Sequence, residues 1–134
     1  MIKVETLGML DIAKINPVLK SEKEVKNYSF IVDDGVTYLV CNTIVGDDSY
    51  KDDVVIPAGE FLNGYDVSAW VNQKLVVDGK HVTNGVSALE KGAVLVVDEA
   101  TGKLVSGSAA GVHFVVTEKV TLTEAAVKVK VAVA

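Results

Sequence analysis

Cys41, His81 and His113 are the only cysteine and the only histidines in the chain. They are the side chains best suited to nucleophilic, acid–base or metal chemistry, and they lie far apart in sequence. A metal centre needs three or four such ligands to converge. No Cys-x-x-Cys or His-x-x-x-His pair brings two of them together locally, so no zinc site is expected. Cys41 ends the apolar run Tyr38-Leu39-Val40-Cys41, with neither His nor Lys beside it. That context marks a small core hydrophobe rather than an activated thiolate. A serine triad needs its nucleophile on a sharp elbow, with His and Asp brought to it. Gly107-Ser108 lacks the Gly-x-Ser-x-Gly pattern, and Ser106 and Ser108 read as loop residues. An enzyme would require His81, His113 and an aspartate to converge within hydrogen-bond reach. The expectation is no enzyme, no metal and no cofactor.

Two other groups could bind something. Asp47, Asp48, Asp52 and Asp53 crowd one loop, and hard cations prefer carboxylate-rich loops. The alternate acidic spacing and central glycine of an EF-hand are missing, so the main reading is a solvated acidic loop. A weak divalent-ion site is the alternative. Tyr50, Tyr65 and Trp70 stand in loop-like segments and could form an exposed aromatic platform for sugars. Such residues also plug barrel ends or anchor protein interfaces.

The composition favours a framework over a reaction. Twenty-seven residues are valine and none is arginine. Valine is stiff at χ1 and suits a pleated sheet. Arginine is the usual grip on phosphate and carboxylate. The net charge is −5, and the densest lysine run, Lys20, Lys23 and Lys26, is interrupted by Glu22 and Glu24. Binding a polyanion needs clustered cations, so nucleic acid is not expected as a partner. Hydrophobic residues make up 49% of the chain and the mean hydropathy is +0.34. That surplus points to a second buried surface, either a subunit or a partner interface. No apolar run approaches the ~20 residues that span a bilayer, and no long apolar leader opens the chain, so the expectation is a protein made in the cytoplasm, without a membrane partner.

The elements read mostly as strands. Residues 1–20 are apolar without a clean period and are expected to form an extended arm. Ile2, Val4, Leu7, Met9, Leu10 and Ile12 are its candidate interface residues. Ser21-Glu22-Lys23-Glu24 fits a capping box, with one or two helical turns to about Asn27. Asp34-Gly35 between apolar runs predicts a hairpin. The same pattern recurs at Asp78-Gly79 and between Asp98 and Gly102. Asp66 is placed to cap a helical turn carrying Trp70. Gly111 to Thr117 and Lys119 to Thr123 read as strands. Val127, Val129, Val131 and Val133 alternate with Lys128, Lys130, Ala132 and Ala134, giving one all-valine face. The fold class is therefore all-β, a small β-barrel or β-sandwich with an extended N-terminal arm and at most one or two short helical turns. Residues 21–134 form a single β domain in this reading, and a division at about 21–73 and 74–134 is the alternative.

The segments Lys91-Gly92-Ala93-Val94-Leu95-Val96-Val97-Asp98, Gly102-Lys103-Leu104-Val105 and Ala110-Gly111-Val112-His113-Phe114-Val115-Val116 resemble the head-decoration, or auxiliary capsid, proteins of tailed bacteriophages. The similarity is one of texture over residues 74–134. It implies a non-enzymatic structural protein on the capsid exterior of a virion, bound to the major capsid protein. It leaves monomers and homo-oligomers such as trimers open. A carbohydrate-binding or adhesin-type β module on a phage or bacterial surface is the alternative reading.

Overall fold

A computed structural model of the chain describes residues 2–4, 13–42, 54–121 and 125–134. The strands are β1 (Ile2–Val4), β2 (Ile15–Lys20), β3 (Val25–Lys26), β4 (Phe30–Asp33), β5 (Val36–Val40) and β6 (Val55–Ile56). They continue as β7 (Phe61–Asp66), β8 (Lys74–Asp78), β9 (Val94–Val97), β10 (Leu104–Ser106), β11 (Val112–Thr121) and β12 (Ala125–Val133). Two 3-10 turns, Val67–Trp70 and Gly79–His81, are the only helical elements among the described residues.

The strands form a six-stranded sheet in the order β1-β8-β12-β11-β9-β10, a four-stranded sheet β2-β7-β5-β4 and a two-stranded sheet β3-β6. All strand pairs are antiparallel, so one face of each sheet can pack while the other meets solvent. The all-β expectation holds. Of barrel and sandwich, the barrel is not formed: β1 and β10 end one large sheet, β2 and β4 end the other, and neither closes.

Alternation decides what each strand buries. Val127, Val129 and Val131 on β12 are fully buried, while Lys128 and Lys130 between them point outward and are half-buried. These valines join Leu75, Val77, Leu95, Leu104, Phe114 and Val116 of the six-stranded sheet. Phe30, Leu39 and Trp70 complete this core from the other side, and the rings of Phe30 and Phe114 meet at 5.2 Å. A second cluster, Leu19, Val25, Val40, Ile56 and Leu62, fills the opposite face of the four-stranded sheet. Leu39 thus enters one core and its neighbour Val40 the other. The four-stranded sheet is a middle layer covered on both faces, which explains the unbroken apolar run Tyr38 to Cys41.

Several turns follow the sequence pattern. Asp34 and Gly35 both have positive φ, +49° and +75°, and join the paired residues Asp33 and Val36 in a two-residue hairpin. The Asp98–Gly102 segment turns β9 into β10, with the Gly102 N–H donating to the Asp98 carbonyl at 2.8 Å. Asp66 caps the turn carrying Trp70 by accepting from the Ser68 N–H at 3.0 Å.

Others depart from it. Asp78-Gly79 makes no hairpin. The position beside β8 is taken by β12, with Ala126 opposite Asp78, so the chain turns away as a 3-10 turn capped by Asp78. Val82 and Thr83 then bond Leu104 instead. No helix follows Ser21. Its hydroxyl accepts from the Lys23 N–H at 3.3 Å, but Val25 is drawn into the second core and pairs with Ile56. The two strands expected over Gly111 to Thr123 are one strand, β11, with a bulge between Val116 and Glu118. In the stretch 1–20, the described parts lie within the body's sheets. Ile2 pairs with Val77 and is 4% exposed, and β2 pairs with β7.

Two close contacts lock the layers. The Phe30 N–H donates to the Gly102 carbonyl at 3.2 Å. A Cβ on Gly102 would stand 2.7 Å from the Phe30 carbonyl oxygen, and Gly102 itself has φ +73°. Asn27, fully buried, acts as a surrogate strand. Its side chain accepts from the Asn42 N–H at 2.8 Å and donates to the Asn42 carbonyl at 3.0 Å.

These contacts set a ranked stability series. Gly35→Ala faces only a positive φ, with no atom near the new methyl, and should cost about 1 kcal/mol. Gly102→Ala adds a backbone clash and should cost about 3 kcal/mol or more. Asn27→Ala leaves both backbone groups of Asn42 without their partner and should cost about 2–3 kcal/mol. Urea unfolding of the three variants checks the order, and equal losses for Gly35→Ala and Gly102→Ala would contradict the docked turn.

Candidate interaction surfaces

The chemically capable residues do not converge. His81 Nε2 lies 4.0 Å from the Asp78 carboxylate, beside the start of β12, where Ala126 faces Asp78. His113 sits beside Ala132 and contacts the Gly111 carbonyl through Nδ1 at 2.9 Å. The two sites are six residues apart along β12, roughly 20 Å of strand. Both imidazoles are buried, 7% exposed each. Among the described residues, no three His, Cys, Asp or Glu side chains are grouped to hold a metal. The Asp47, Asp48, Asp52 and Asp53 loop lies outside the described residues.

The aromatic candidates divide. Tyr65 stacks on Trp70, with centroids 5.7 Å apart and planes 22° from parallel. The sequence groups both with Tyr50 as an exposed platform. Trp70 is instead 1% exposed and belongs to the main core, with Tyr65 half-buried against it. Tyr50 lies outside the described residues.

Of the arm residues, Ile2 is in the core. Val4 is the last residue of β1, paired with Leu75. Leu7, Met9, Leu10 and Ile12 lie outside the described residues. Large apolar side chains are exposed a little further along, where Ile15 (53%) and Val18 (69%) on β2 accompany Phe61 (56%) on β7. The Lys20 ammonium rests 4.3 Å above the Phe61 ring. The strand edge itself is guarded. Pro17 has no N–H, the Val18 N–H is taken by Asn16 Oδ1 at 3.2 Å, and the register shifts between Asn16 and Leu19. Lys14 and Lys20 flank this stretch. Such features deter pairing by a foreign strand. What β2 offers a partner is apolar side chains, not backbone.

A second surface is the half-buried outer face of the six-stranded sheet. Lys74 pairs with Lys130, Lys130 with Val115, and Val115 with Val94, giving one row across four strands. Val76 pairs with Lys128 in the next row, and Val96 with Val105 at the β10 edge. All are half-buried only. Lys128 reaches Glu118 at 3.3 Å. A hollow of about 210 Å³ is lined by Val86, Ser87, Lys119 and Thr121, where the Lys119 ammonium donates to the Ser87 carbonyl at 2.9 Å.

Cys41 packs against the main core, and burial pushes its thiol from 9.0 up to about 12. The Tyr28 phenol is also raised, chiefly by burial and then by the nearby Cys41. Both groups hold their protons in the folded state at pH values where the unfolded chain has lost them. Their contribution is therefore fully present below about pH 9 and is lost as pH rises toward 12. Alkylation of Cys41 in the native protein at pH 8 should be much slower than in the urea-unfolded chain. Cys41→Ala should flatten the alkaline fall in stability; fast native alkylation, or an unchanged alkaline limb, would contradict the burial.

No protein-family model matches the chain, and no curated protein or solved structure shows significant similarity to it.

Proposed function

We propose that the chain is a non-enzymatic structural protein of a phage head, bound to the major capsid protein on the outside of the shell. The resemblance over residues 74–134 supplies the family. The observation that carries the reading is that Ile15, Val18 and Phe61, spread along the paired strands β2 and β7, are exposed to water. Apolar groups exposed beside a guarded strand edge suit a protein contact. The four-stranded sheet that holds them has a core on each face, and a decorating subunit needs that kind of support. The sugar-binding alternative gains nothing from Trp70, whose ring is spent on the core.

Cryo-electron microscopy of the source particle should place the protein on the capsid exterior, and a bare exterior ends this reading. On recombined shells, Val18→Asp with Phe61→Ser should lower occupancy about tenfold, the scale of a modest hot-spot loss. The unfolding midpoint should barely move, because both side chains already face water.

A further inference from the structure

We infer that the outer face of the six-stranded sheet is a separate docking surface whose partner is a protein surface bearing spaced carboxylates. This goes beyond the capsid reading and does not depend on it.

The argument begins with the register. Lys74 and Lys130 stand directly opposite each other on β8 and β12. Neighbouring strands are only ~4.8 Å apart, and directly opposed like charges oppose sheet formation. Neither ammonium has an ion-pair partner among the described residues, whereas Lys128, two residues along, reaches Glu118. Among the described residues, the sheet therefore holds two opposed ammonium groups without a carboxylate partner, in a protein whose net charge is −5. Val76 and Val115 adjoin the pair, Val94 lies one strand beyond Val115, and Val96 and Val105 extend the apolar area to the β10 edge. These residues are all half-buried, not exposed outright. An anionic partner would relieve the repulsion and cover the valines at once.

The chemistry favours protein carboxylates over phosphates. The chain has no arginine to fork onto a phosphate, and none of the described residues on the face is an aromatic ring on which a base could stack. A valine-lined plane suits the methyl and methylene groups of a protein surface. A second copy presenting the same face is disfavoured, since it would set lysines against lysines.

The test uses the ¹⁵N-labelled full chain titrated at low salt with poly-L-glutamate and, separately, with an oligothymidylate. Poly-L-glutamate should shift amides clustered at Lys74, Val76, Val94, Val115 and Lys130, with affinity falling as salt rises. Lys130→Glu gives the face an opposed Lys–Glu pair in place of Lys–Lys. It should raise the unfolding midpoint of the free protein while weakening poly-L-glutamate binding about tenfold. A structural role alone would move stability and binding in the same direction, so a lowered midpoint with lost binding overturns the inference. So do an absence of shifts on this face, unchanged affinity in Lys130→Glu, or an equal response to oligothymidylate, which would make the face a general polyanion site. Failure of the capsid experiments leaves this titration intact, and failure of the titration leaves the exposed β2 side chains as they are.

Discussion

Phe30 is the residue on which the two large sheets depend. It lies on β4, the edge of the four-stranded sheet. Its ring crosses the core to meet Phe114 on the six-stranded sheet. Its main chain bonds the Gly102 carbonyl in the turn between β9 and β10. One residue thus joins the layers twice, through apolar packing and through backbone. An aromatic pair of this kind contributes about 0.5–1.5 kcal/mol beyond its buried area. The backbone contact adds direction, because only a residue without Cβ can present its carbonyl so close. Phe30 therefore fixes how the sheets sit relative to one another, and the valines fill the space so defined.

The middle layer explains where most of the apolar surplus goes. A chain with this hydropathy invites the inference of a large external interface. Much of the surplus is internal instead, in the second core of Leu19, Val25, Val40, Ile56 and Leu62. Gly64 belongs to the same economy of space. A Cβ there would stand 2.8 Å from Leu19 Cδ2 and 2.9 Å from Tyr38 Cδ1, so the strand passes under both side chains only as glycine. The Asn27–Asn42 pairing completes the layer by satisfying backbone groups where β5 has ended. Among the described residues the most exposed large apolar side chains are Val18, Phe61 and Ile15 on β2 and β7, with Val133, Val55 and Val71 exposed elsewhere.

Local signals were legible and non-local ones were not. Alternating valines on β12, the Asp34-Gly35 turn and the Asp66 cap depend on a few adjacent residues, and all three were readable. Asp78-Gly79 carries the same local signal as Asp34-Gly35. It yields a different structure because β12, distant in sequence, occupies the neighbouring lane. Ser21-Glu24 has the letters of a helix cap, but Val25 gains more from the second core than from a short helix, whose nucleation is costly. The exposure of Val18 and Phe61 is not legible in the sequence, because exposure is a property of the packed layers. The Lys74–Lys130 pair is not legible for a related reason. Lys128 and Lys130 were visible as the polar face of a strand, and Lys74 as the start of another, but their opposition exists only once β8 and β12 pair.

The absence of arginine acquires a structural meaning on that outer face. Lysine lays a long aliphatic stem along apolar neighbours and keeps a compact charge in water. On a valine sheet this shields apolar surface in the free protein without fixing the charge in one geometry. Arginine would bring a planar fork that tends to lock onto one partner group. A lysine–valine face instead supports contacts that form by charge, tighten by burial and release with salt. Coulomb attraction between exposed charges is weak and screened, so the affinity of such a face has to come from the valines, with the lysines setting orientation and partner sign. Valine therefore serves two purposes in this fold. On inner faces it fixes the layers. On the outer face of the six-stranded sheet it is half-buried beside the lysine stems.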